Sequence, residues 1–335
     1  MKKSKRTILI SVLTVCLVLL ALGALCMGNY SISPSDLFAY VVRKATGLPY
    51  DRGLESVIIN IRLVRIVSAV IIGAALSVSG AVYQTVFSNR MVSPDLLGVS
   101  SSAACGAAVA IVCGLPSEMS FITSFTFSVA AIFLSGLVSN LLNRRENLLM
   151  AGIIVAGFAK SGLGLLKYFA DSENGELESI VYWELGSLAK VSWEQVAVIA
   201  PLIIGIFAVL FLIRRRLTCL AFGESAGLLG IHVSGERVIA IALASLLVSL
   251  STAICGIISW VSLIIPIAAS ELTGSGSFSD NLTITALLGS VFLLISDTVA
   301  RTSTTSEIPI SIITGTAGLI VFCIAVFSKK ERHRI

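Results

Sequence analysis

The chain has 335 residues, of which 56% are hydrophobic and only 13% are charged, and its mean hydropathy is +0.97. A soluble domain carries about 25% charged residues. This composition therefore excludes a soluble fold and predicts one all-α membrane domain over residues 1–335, which crosses the bilayer many times.

The apolar segments are long enough to cross a membrane repeatedly. A bilayer core needs about 20 apolar residues per helix, and this length predicts ten spans, of which the eighth is short. In chain order they are 8–28, 63–87, 96–115, 119–142, 148–170, 195–213, 236–258, 259–272, 282–302 and 308–328.

The first segment resembles a secretory signal peptide, because it has a basic start and an apolar stretch before Cys26. However, the apolar stretch of about 20 residues exceeds the usual signal core of about 7–15, and Leu25 stands where a small residue should precede cleavage. We therefore expect an uncleaved first helix.

The basic residues predict the orientation of the spans. If the N-terminus is cytoplasmic, fifteen of the 24 Lys and Arg residues fall inside and eight outside, while Lys160 lies within a span. Basic residues accumulate on the cytoplasmic side of membrane proteins. We therefore expect a multi-pass protein of the cytoplasmic membrane with both termini inside, and the net charge of +5 reports this topology rather than nucleic-acid binding.

The segment FSNRMVSPDLLGVSSSAACG, residues 87–106, predicts a tight cytoplasmic turn followed by a packed helix. Pro94 fixes the backbone, and Ser93 or Asp95 is placed to cap the incoming helix. Small residues then recur every four positions, and such a stripe lets neighbouring helices approach closely in lipid. The stripe consists of Gly98, Ser102, Gly106, Ala110 and Gly114.

Four segments outside the spans are long enough to have a role, although none is long enough for an independent domain. Residues 29–61, outside, contain SPSDLFAYVVRKATG, which is typical of a short capped amphipathic helix. Residues 171–194 also lie outside. On the inner side, residues 214–235 form the longest loop and residues 273–281 form a flexible turn.

Charged residues inside the spans are rare. A lysine near the centre of a bilayer costs about 2.5–3.5 kcal/mol unless it faces water or a partner. Lys160 and Lys167 share a helical face, so they could form a basic stripe that attracts an anionic substrate along a pathway. Alternatively, Lys160 pairs with a helix C-terminus in a packed interface. Asp297 and Arg301 have the spacing of a structural pair one helical turn apart.

Catalytic and metal-binding patterns are absent from the sequence. The seven cysteines form no CxxC pair, and His232 and His333 are far from any acidic or cysteine cluster. The spans offer no nucleophile with a base. A phosphate-binding loop needs Gly-Lys, and this dipeptide occurs nowhere in the chain. We therefore expect no enzyme activity, metal or cofactor in this chain, and any ATP must be hydrolysed by a partner.

Six ordered motifs resemble those of FecCD-type permeases, the membrane subunits of ABC importers for ferric siderophores, haem, cobalamin and molybdate. The resemblance runs from about residue 55 to the C-terminus. The motifs are RLVRIVSAVIIGAALSVSGAVYQTVFSNRMVSPDLLGVSSSAACG, YWELGSLAKVSW, LAFGESAGLLGI, ISWVSLIIPI, LLGSVFLLISDTVART and EIPISIITGTAG.

The resemblance implies a fold like that of cobalamin-importer permeases and a particular assembly. In this assembly, two identical or related permeases surround a central pathway. Two ATPase subunits, which bind ATP and Mg, lie inside, and a substrate-binding protein docks outside. The coupling segment for the ATPase would be LAFGESAGLLG, which looks like two short helices broken by glycine. Its expected coupling residues are Gly223, Glu224, Ser225, Ala226 and Gly230.

The resemblance also assigns three outer arginines to docking of the binding protein. Arg62 and Arg65 begin the second span and Arg301 ends the ninth. Their planar guanidinium groups suit carboxylates of a binding protein. The alternative role for these arginines is anchoring to lipid headgroups.

The sequence departs from the family pattern at several positions. Arg90 follows Asn89 where a proline is usual. A PHIAR-like motif reads PIAAS, with Ile267 and Ser270 at the histidine and arginine positions, and an ELPVG-like motif reads EIPIS, with Ser311 at the glycine position. We expect these changes to leave the fold intact and to affect substrate choice or coupling.

These observations together predict the permease subunit of an ATP-driven importer, and an iron chelate is the leading substrate class. Haem, cobalamin and molybdate remain open. A secondary transporter driven by an ion gradient and a membrane-embedded enzyme are the alternatives from other classes.

Overall fold

A computed structural model describes residues 3–28, 30–141, 148–304 and 306–332, and within these ranges the chain forms helices and no strands. The helices are α1 Lys3–Cys26, α2 Pro34–Thr46, α3 Arg52–Ser56, α4 Val64–Val86, α5 Val99–Val112, α6 Ser117–Leu141, α7 Leu148–Phe169, α8 Glu176–Glu184, α9 Trp193–Leu220, α10 Val233–Cys255, α11 Val261–Thr273, α12 Phe278–Thr302 and α13 Ile310–Arg332.

The predicted number of spans agrees with these helices. Among the described residues, seven helices are long and apolar enough to cross a membrane, and three shorter apolar helices accompany them. The shorter ones are α5, α11 and the Ile310–Cys323 part of α13. The segment predicted as the short eighth span forms α11, an apolar helix of 13 residues. The loop at 142–147, which contains Arg144 and Arg145, lies outside the described residues.

The second span begins earlier than predicted. A helix runs without interruption from Arg52 to Val86, 35 residues, because a π-helical turn at Val57–Leu63 joins α3 to α4. The side chain of Asp51 caps its start by accepting a hydrogen bond from the Gly53 amide, 2.8 Å. The prediction placed the start at residue 63 because the preceding turns contain polar residues that interrupt the apolar run. Arg62 and Arg65 therefore lie well inside a helix and do not begin it.

The amphipathic helix predicted in the outer segment is confirmed as α2. Ser33 and Asp36 form a reciprocal capping box, and Gly47 ends the helix in the left-handed conformation at φ 70°. Lys44 fastens α2 to α3 through an ion pair with Glu55, 2.6 Å from Nζ to Oε1. This hydrogen bond raises the pKa of the Lys44 ammonium, and a second bond to Tyr40 adds to the shift.

The centre of the bundle is the crossing of α4 and α12. A Cβ added to Gly73 would lie 2.3 Å from the carbonyl oxygen of Gly289, so the two backbones are in direct contact. The hydroxyl of Ser77 donates to the Thr285 carbonyl, 3.1 Å, across the same crossing. These contacts hold α4 and α12 side by side, so the first turn of α4, with Arg65, lies near the last turn of α12, with Arg301.

The predicted stripe of small residues is only partly packed. A Cβ on Gly98 would lie 2.8 Å from the Ala156 nitrogen of α7, and one on Gly106 would lie 2.5 Å from the Thr123 oxygen of α6. Ser102 and Ala110 are buried. Gly114 does not continue the stripe, because it lies beyond the end of α5 and no atom lies within 4 Å of its Cβ position.

The cap predicted for the third span is wrong. Ser93 makes no capping hydrogen bond, and the residue before α5 is Gly98 at φ 75°. Asp95 instead accepts a hydrogen bond from the Ser100 hydroxyl, 2.5 Å. The reason is a short 3₁₀-helix, Pro94–Leu97, which separates the predicted cap residues from the helix they were expected to cap.

The inner segments are more ordered than their composition indicates. α9 continues to Leu220, so residues 214–216 are helical and the inner loop begins at 221. The turn predicted to be flexible is closed by the Thr273 hydroxyl, which donates to Asn281, 2.7 Å. Asn281 in turn donates to the Ser275 carbonyl, 2.6 Å.

Candidate functional site

The three outer arginines lie together but point inward. Arg62, Arg65 and Arg301 are 2%, 4% and 5% exposed. α4 and α12 bring Arg65 and Arg301 to one end of the bundle, and the π-helical turn presents Arg62 beside them. A buried guanidinium needs partners for its charge and its donors.

Arg65 is held by two carboxylates. Its Nη2 and Nε donate to Oδ1 of Asp297, 2.7 and 3.2 Å, and its Nη1 donates to Oε1 of Glu307, 2.7 Å. The Asp297 side chain is fully buried, whereas the Glu307 side chain is 35% exposed. Arg65 thus joins α4, α12 and the segment before α13 at one point.

Arg62 and Arg301 bind the C-terminal end of α1. Arg301 donates to the carbonyls of Ala24, 2.5 Å, and Met27, 2.8 Å. Arg62 donates to the carbonyls of Leu25 and Tyr30. The last carbonyls of a helix lack intrahelical partners and carry partial negative charge, so cations stabilise this end.

The pair Asp297 and Arg301, predicted from their spacing, is the weaker of the two pairs that Asp297 makes. Arg301 Nε lies 3.7 Å from Asp297 Oδ2, and neither atom has a hydrogen-bond partner. Sequence spacing reveals only pairs within one helix. It therefore missed the bond from Asp297 to Arg65 and the contribution of Glu307, whose only sequence signal was its place in the EIPIS motif.

The arrangement can bind carboxylates, but in this conformation each of the three guanidinium groups already donates hydrogen bonds to groups within the chain. A carboxylate from a binding protein would have to replace the α1 carbonyls or Glu307. The docking role of Arg62, Arg65 and Arg301 stays a prediction.

The inner segment expected to couple to an ATPase forms one 3₁₀-helix, Gly223–Leu229, and not two short helices. Gly223 begins this helix and Gly230 follows it, at φ 61° and 77°, a conformation that residues other than glycine rarely adopt. Ala226 is fully buried, so it anchors the segment and is not available for contact with a partner. Ser225 is exposed, and the Glu224 side chain lies outside the described part of the chain.

Two large apolar side chains of this segment are exposed, and neither was among the residues predicted from the sequence. Leu228 is 90% exposed and Phe222 is 65% exposed. The sequence signal for them was the presence of large apolar residues in a loop whose flanks are arginine-rich and polar. Contiguous exposed apolar surface is typical of protein interfaces, and these two exposed residues lie near the two ends of the same short segment.

The two lysines assigned to the pathway have different surroundings. Lys167 forms an ion pair with Glu184 of α8, so it is not free to bind substrate in this conformation. Lys160 is exposed on a face of α7 that also carries Gly157 and Gly164, and no atom packs against the Cβ positions of these glycines. The packed helix C-terminus that was the alternative partner of Lys160 is not found within the described ranges.

Three residues that depart from the family pattern make defined contacts in the structure. Arg90 pairs with Glu271, 3.0 Å. Ser270 donates to the Ile267 carbonyl within its own helix, 2.8 Å. The hydroxyl of Ser311 donates to the Ile257 carbonyl. Among the residues the structure describes, no three His, Cys, Asp or Glu side chains are grouped so that they could hold a metal ion.

Comparison with curated proteins finds permeases of several import systems along nearly the whole chain. The molybdate import system permease of Haemophilus influenzae is 35% identical over 322 residues, 95% of each chain. The hemin transport system permease of Yersinia pestis is 31% identical over 338 residues, 97% of each chain. The cobalamin import system permease of Halobacterium salinarum is 32% identical over 89% of this chain and 80% of that protein.

The comparison with solved structures agrees. An ABC transporter described as of the metal-chelate type, in an inward-facing conformation, matches with a TM-score of 0.86 and 33% identity over 95% of this chain and 98% of that one. PsaBC from Streptococcus pneumoniae, solved in complex with Fab, shares only the fold, at 15% identity and a TM-score of 0.55. The model of the FecCD transport family matches residues 14–328. The chain therefore belongs to the FecCD transport family of membrane permeases.

Proposed function

We propose that this chain is the permease subunit of an ATP-driven importer, which receives substrate from an external binding protein and is driven by separate ATPase subunits. The observation that carries the proposal is the FecCD match over residues 14–328, which includes both the outer arginines and the inner segment around Gly223–Leu229. Relatives named as import permeases along nearly the full chain support it.

The proposed assembly is a dimer of two permeases, identical or related, with two ATPase subunits inside and the binding protein outside. The excess of basic residues on one side supports a cytoplasmic position for both termini. The exposed side chains of Phe222 and Leu228 support a protein partner at the inner end. The likeness to an inward-facing structure supports a conformation whose outer end is closed.

The leading proposed substrate is an iron chelate or a related metal chelate. Several relatives are named for such cargo, including a probable iron chelatin permease of Helicobacter pylori, 31% identical over 315 residues. A second candidate is molybdate, because the Haemophilus influenzae molybdate permease is 35% identical over 95% of each chain. Lys160, exposed on α7, is compatible with either anionic cargo.

The experiment is reconstitution of the chain in proteoliposomes with an ATPase and a binding protein from the same genome. Uptake of iron-loaded siderophore, haem, cobalamin and molybdate is then measured with and without ATP. ATP-dependent uptake of one cargo that needs all three components supports the proposal. Uptake that follows an imposed ion gradient without the ATPase would identify a secondary transporter instead, and product formation by the purified chain would identify an enzyme.

A further inference from the structure

Three breaks in the helical backbone meet beside the start of α13. We call them the three-way seam: residues 185–187 after α8, 255–257 after α10 and 310–311 at the start of α13. The Ile310 amide donates to the Gly186 carbonyl, 3.1 Å, and the Ser311 amide to the Leu185 carbonyl, 3.3 Å. The Ser187 amide donates to the Cys255 carbonyl, 2.8 Å. Each segment thus supplies backbone partners that the others lack.

The backbones of the seam approach one another closely at two glycines. Gly186 and Gly256 both have left-handed φ values, 70° and 72°. A Cβ on Gly256 would lie 2.1 Å from the Trp183 carbonyl oxygen, and one on Gly186 would lie 2.5 Å from the Ile257 carbonyl oxygen. The segments are therefore in direct backbone contact, joined by few hydrogen bonds.

Ser311 adds a side-chain bond across the seam. Its hydroxyl donates to the Ile257 carbonyl, so it links the start of α13 to the connection between α10 and α11. A residue without a side-chain hydroxyl at this position could not make this bond, so the link depends on Ser311.

The seam is connected to the arginine cluster through a short segment. Glu307, four residues before Ser311, accepts a hydrogen bond from Arg65, 2.7 Å. Between them, the Ile308 amide donates to the Ala300 carbonyl at the end of α12, 3.1 Å. Any displacement of Glu307 from Arg65 therefore acts on the residues that close the seam.

A residue with a strained backbone, Trp260, lies three positions after the seam residue Ile257. Trp260 directly precedes α11, and its φ of 73° lies where bulky residues are rarely found. Its side chain lies against Gly315 and Gly318 of α13. Backbone strain of this kind persists only where surrounding contacts maintain it, and it is frequent in segments that move.

We propose that the three-way seam is a closure that opens during transport, and that Ser311 is a positioning residue which sets how readily it opens. Carboxylates of a binding protein that compete with Glu307 for Arg65 would promote the opening. The proposal rests on the proposed function, because the opening belongs to its transport cycle.

The native Cys255 is a probe of the closure. It is 2% exposed and lies at the seam. A variant that retains Cys255 and has the other six cysteines replaced is placed in nanodiscs, and its rate of reaction with N-ethylmaleimide is measured. We expect Ser311→Ala to react about fivefold faster, as for the loss of one net hydrogen bond. Ser311→Thr, which keeps the hydroxyl, should restore the original rate.

A matched control separates this effect from general loosening. Ser290→Ala removes a comparable bond, from the Ser290 hydroxyl to the Val70 carbonyl, 2.7 Å, at the α4 and α12 crossing. It should leave Cys255 labelling unchanged. The positioning role of Ser311 would be overturned if Cys255 reacted at the same rate with Ser or Ala at position 311. It would also be overturned if Ser290→Ala accelerated the reaction of Cys255 as much as Ser311→Ala does. In a second variant, Cys219 is the single cysteine that is retained. Its rate of reaction with N-ethylmaleimide should be the same with Ser or Ala at position 311.

The link to transport is tested in the reconstituted importer. Cys255 labelling should increase when the binding protein and ATP are both present, and Ser311→Ala should raise ATP hydrolysis without the binding protein. If the complex transports cargo but the rate of Cys255 labelling is the same with and without the binding protein and ATP, the proposed opening would be overturned. If the wild-type complex shows no ATP-driven uptake, the proposed function fails, whereas the labelling of the chain alone still reports whether Ser311 holds the seam.

Discussion

Arg65 and Asp297 form a buried ion pair that joins the outer ends of α4 and α12. Nη2 and Oδ1 are 2.7 Å apart, and the two side chains are 5% and 0% exposed. Arg65 also holds Glu307, so one guanidinium connects a membrane-spanning pair of helices to the segment that precedes α13. Removing either partner of a buried pair leaves an uncompensated charge, which is more costly than the pair is favourable.

We expect Asp297→Ala to lower the free energy of unfolding by about 3–5 kcal/mol, because Arg65 and Arg301 lose their buried counter-charge. Thermal unfolding of the purified chain in detergent measures the loss. Glu307→Ala is the matched control. It removes the half-exposed partner of the same guanidinium and should cost less than about 1 kcal/mol. Equal losses in the two variants would mean that burial does not decide the strength of these pairs.

Reversal of the outer arginines should weaken association with the binding protein. We expect Arg62→Glu, Arg65→Glu or Arg301→Glu to cost about 2–5 kcal/mol where the contact is buried. Binding-protein affinity for the reconstituted permease is the measurement, and added salt should mimic any exposed part of the contact. Arg43→Glu, at an exposed position of α2, is the control. Unchanged affinity in all three reversals would leave these arginines with partners inside the chain alone, carbonyls near the end of α1 for Arg62 and Arg301 and carboxylates for Arg65.

The inner segment makes a second affinity prediction. Leu228→Ser should leave the fold intact, because this side chain is 90% exposed, and should weaken ATPase association by about 2 kcal/mol, the value of an interface hot spot. Phe38→Ser changes an equally apolar exposed residue on α2 and should have no effect on the ATPase. Pull-down of the ATPase from a defined mixture gives the affinities, and a loss no greater for Leu228 than for Phe38 would exclude Leu228 from the interface.

Bulky residues at Gly223 or Glu224 should uncouple ATP hydrolysis from uptake. At Gly223 the reason is conformational, because φ is 61° and no atom lies within 4 Å of a Cβ at this position. A side chain there would strain the turn rather than collide with a neighbour. Hydrolysis and uptake are measured in the same proteoliposomes. Gly205→Ala, in α9 with similarly open space, is the control. A normal ratio of uptake to hydrolysis in both variants would contradict the coupling role.

Lys160 and Lys167 should respond differently to removal of their charge. We expect Lys160→Met to reduce the uptake of an anionic cargo, because Lys160 is exposed on α7 and, in the proposed pathway role, its ammonium would attract an anion. Lys167→Met removes the ion pair between Lys167 and Glu184, so Glu184→Gln should change uptake in the same way. Uptake rate and the preference between cargoes are the measurements. If Lys160→Met changed neither, the pathway role of this residue would be dropped.

The number and type of spans followed from the sequence because the bilayer requires about 20 apolar residues per helix and leaves little choice of secondary structure. The capped helix α2 was predictable for a similar reason, since Ser33, Asp36 and Gly47 determine its ends through local hydrogen bonds and backbone conformation. The family motifs also placed the arginines and the inner segment in order along the chain. These are properties of neighbouring residues, and neighbouring residues are what a sequence displays.

The partners of the site residues were decided by the tertiary structure. Asp297 was paired with Arg301 by spacing, but the crossing at Gly73 and Gly289 brings Arg65 closer, across 232 positions of sequence. The carbonyls at the end of α1 accept hydrogen bonds from Arg62 and Arg301 because the π-helical turn before α4 and the end of α12 lie beside them. Likewise, the hydroxyl of Ser311 has a partner only because three backbone breaks converge. Burial and long-range contact give these side chains their partners, and neither can be read from spacing along the chain.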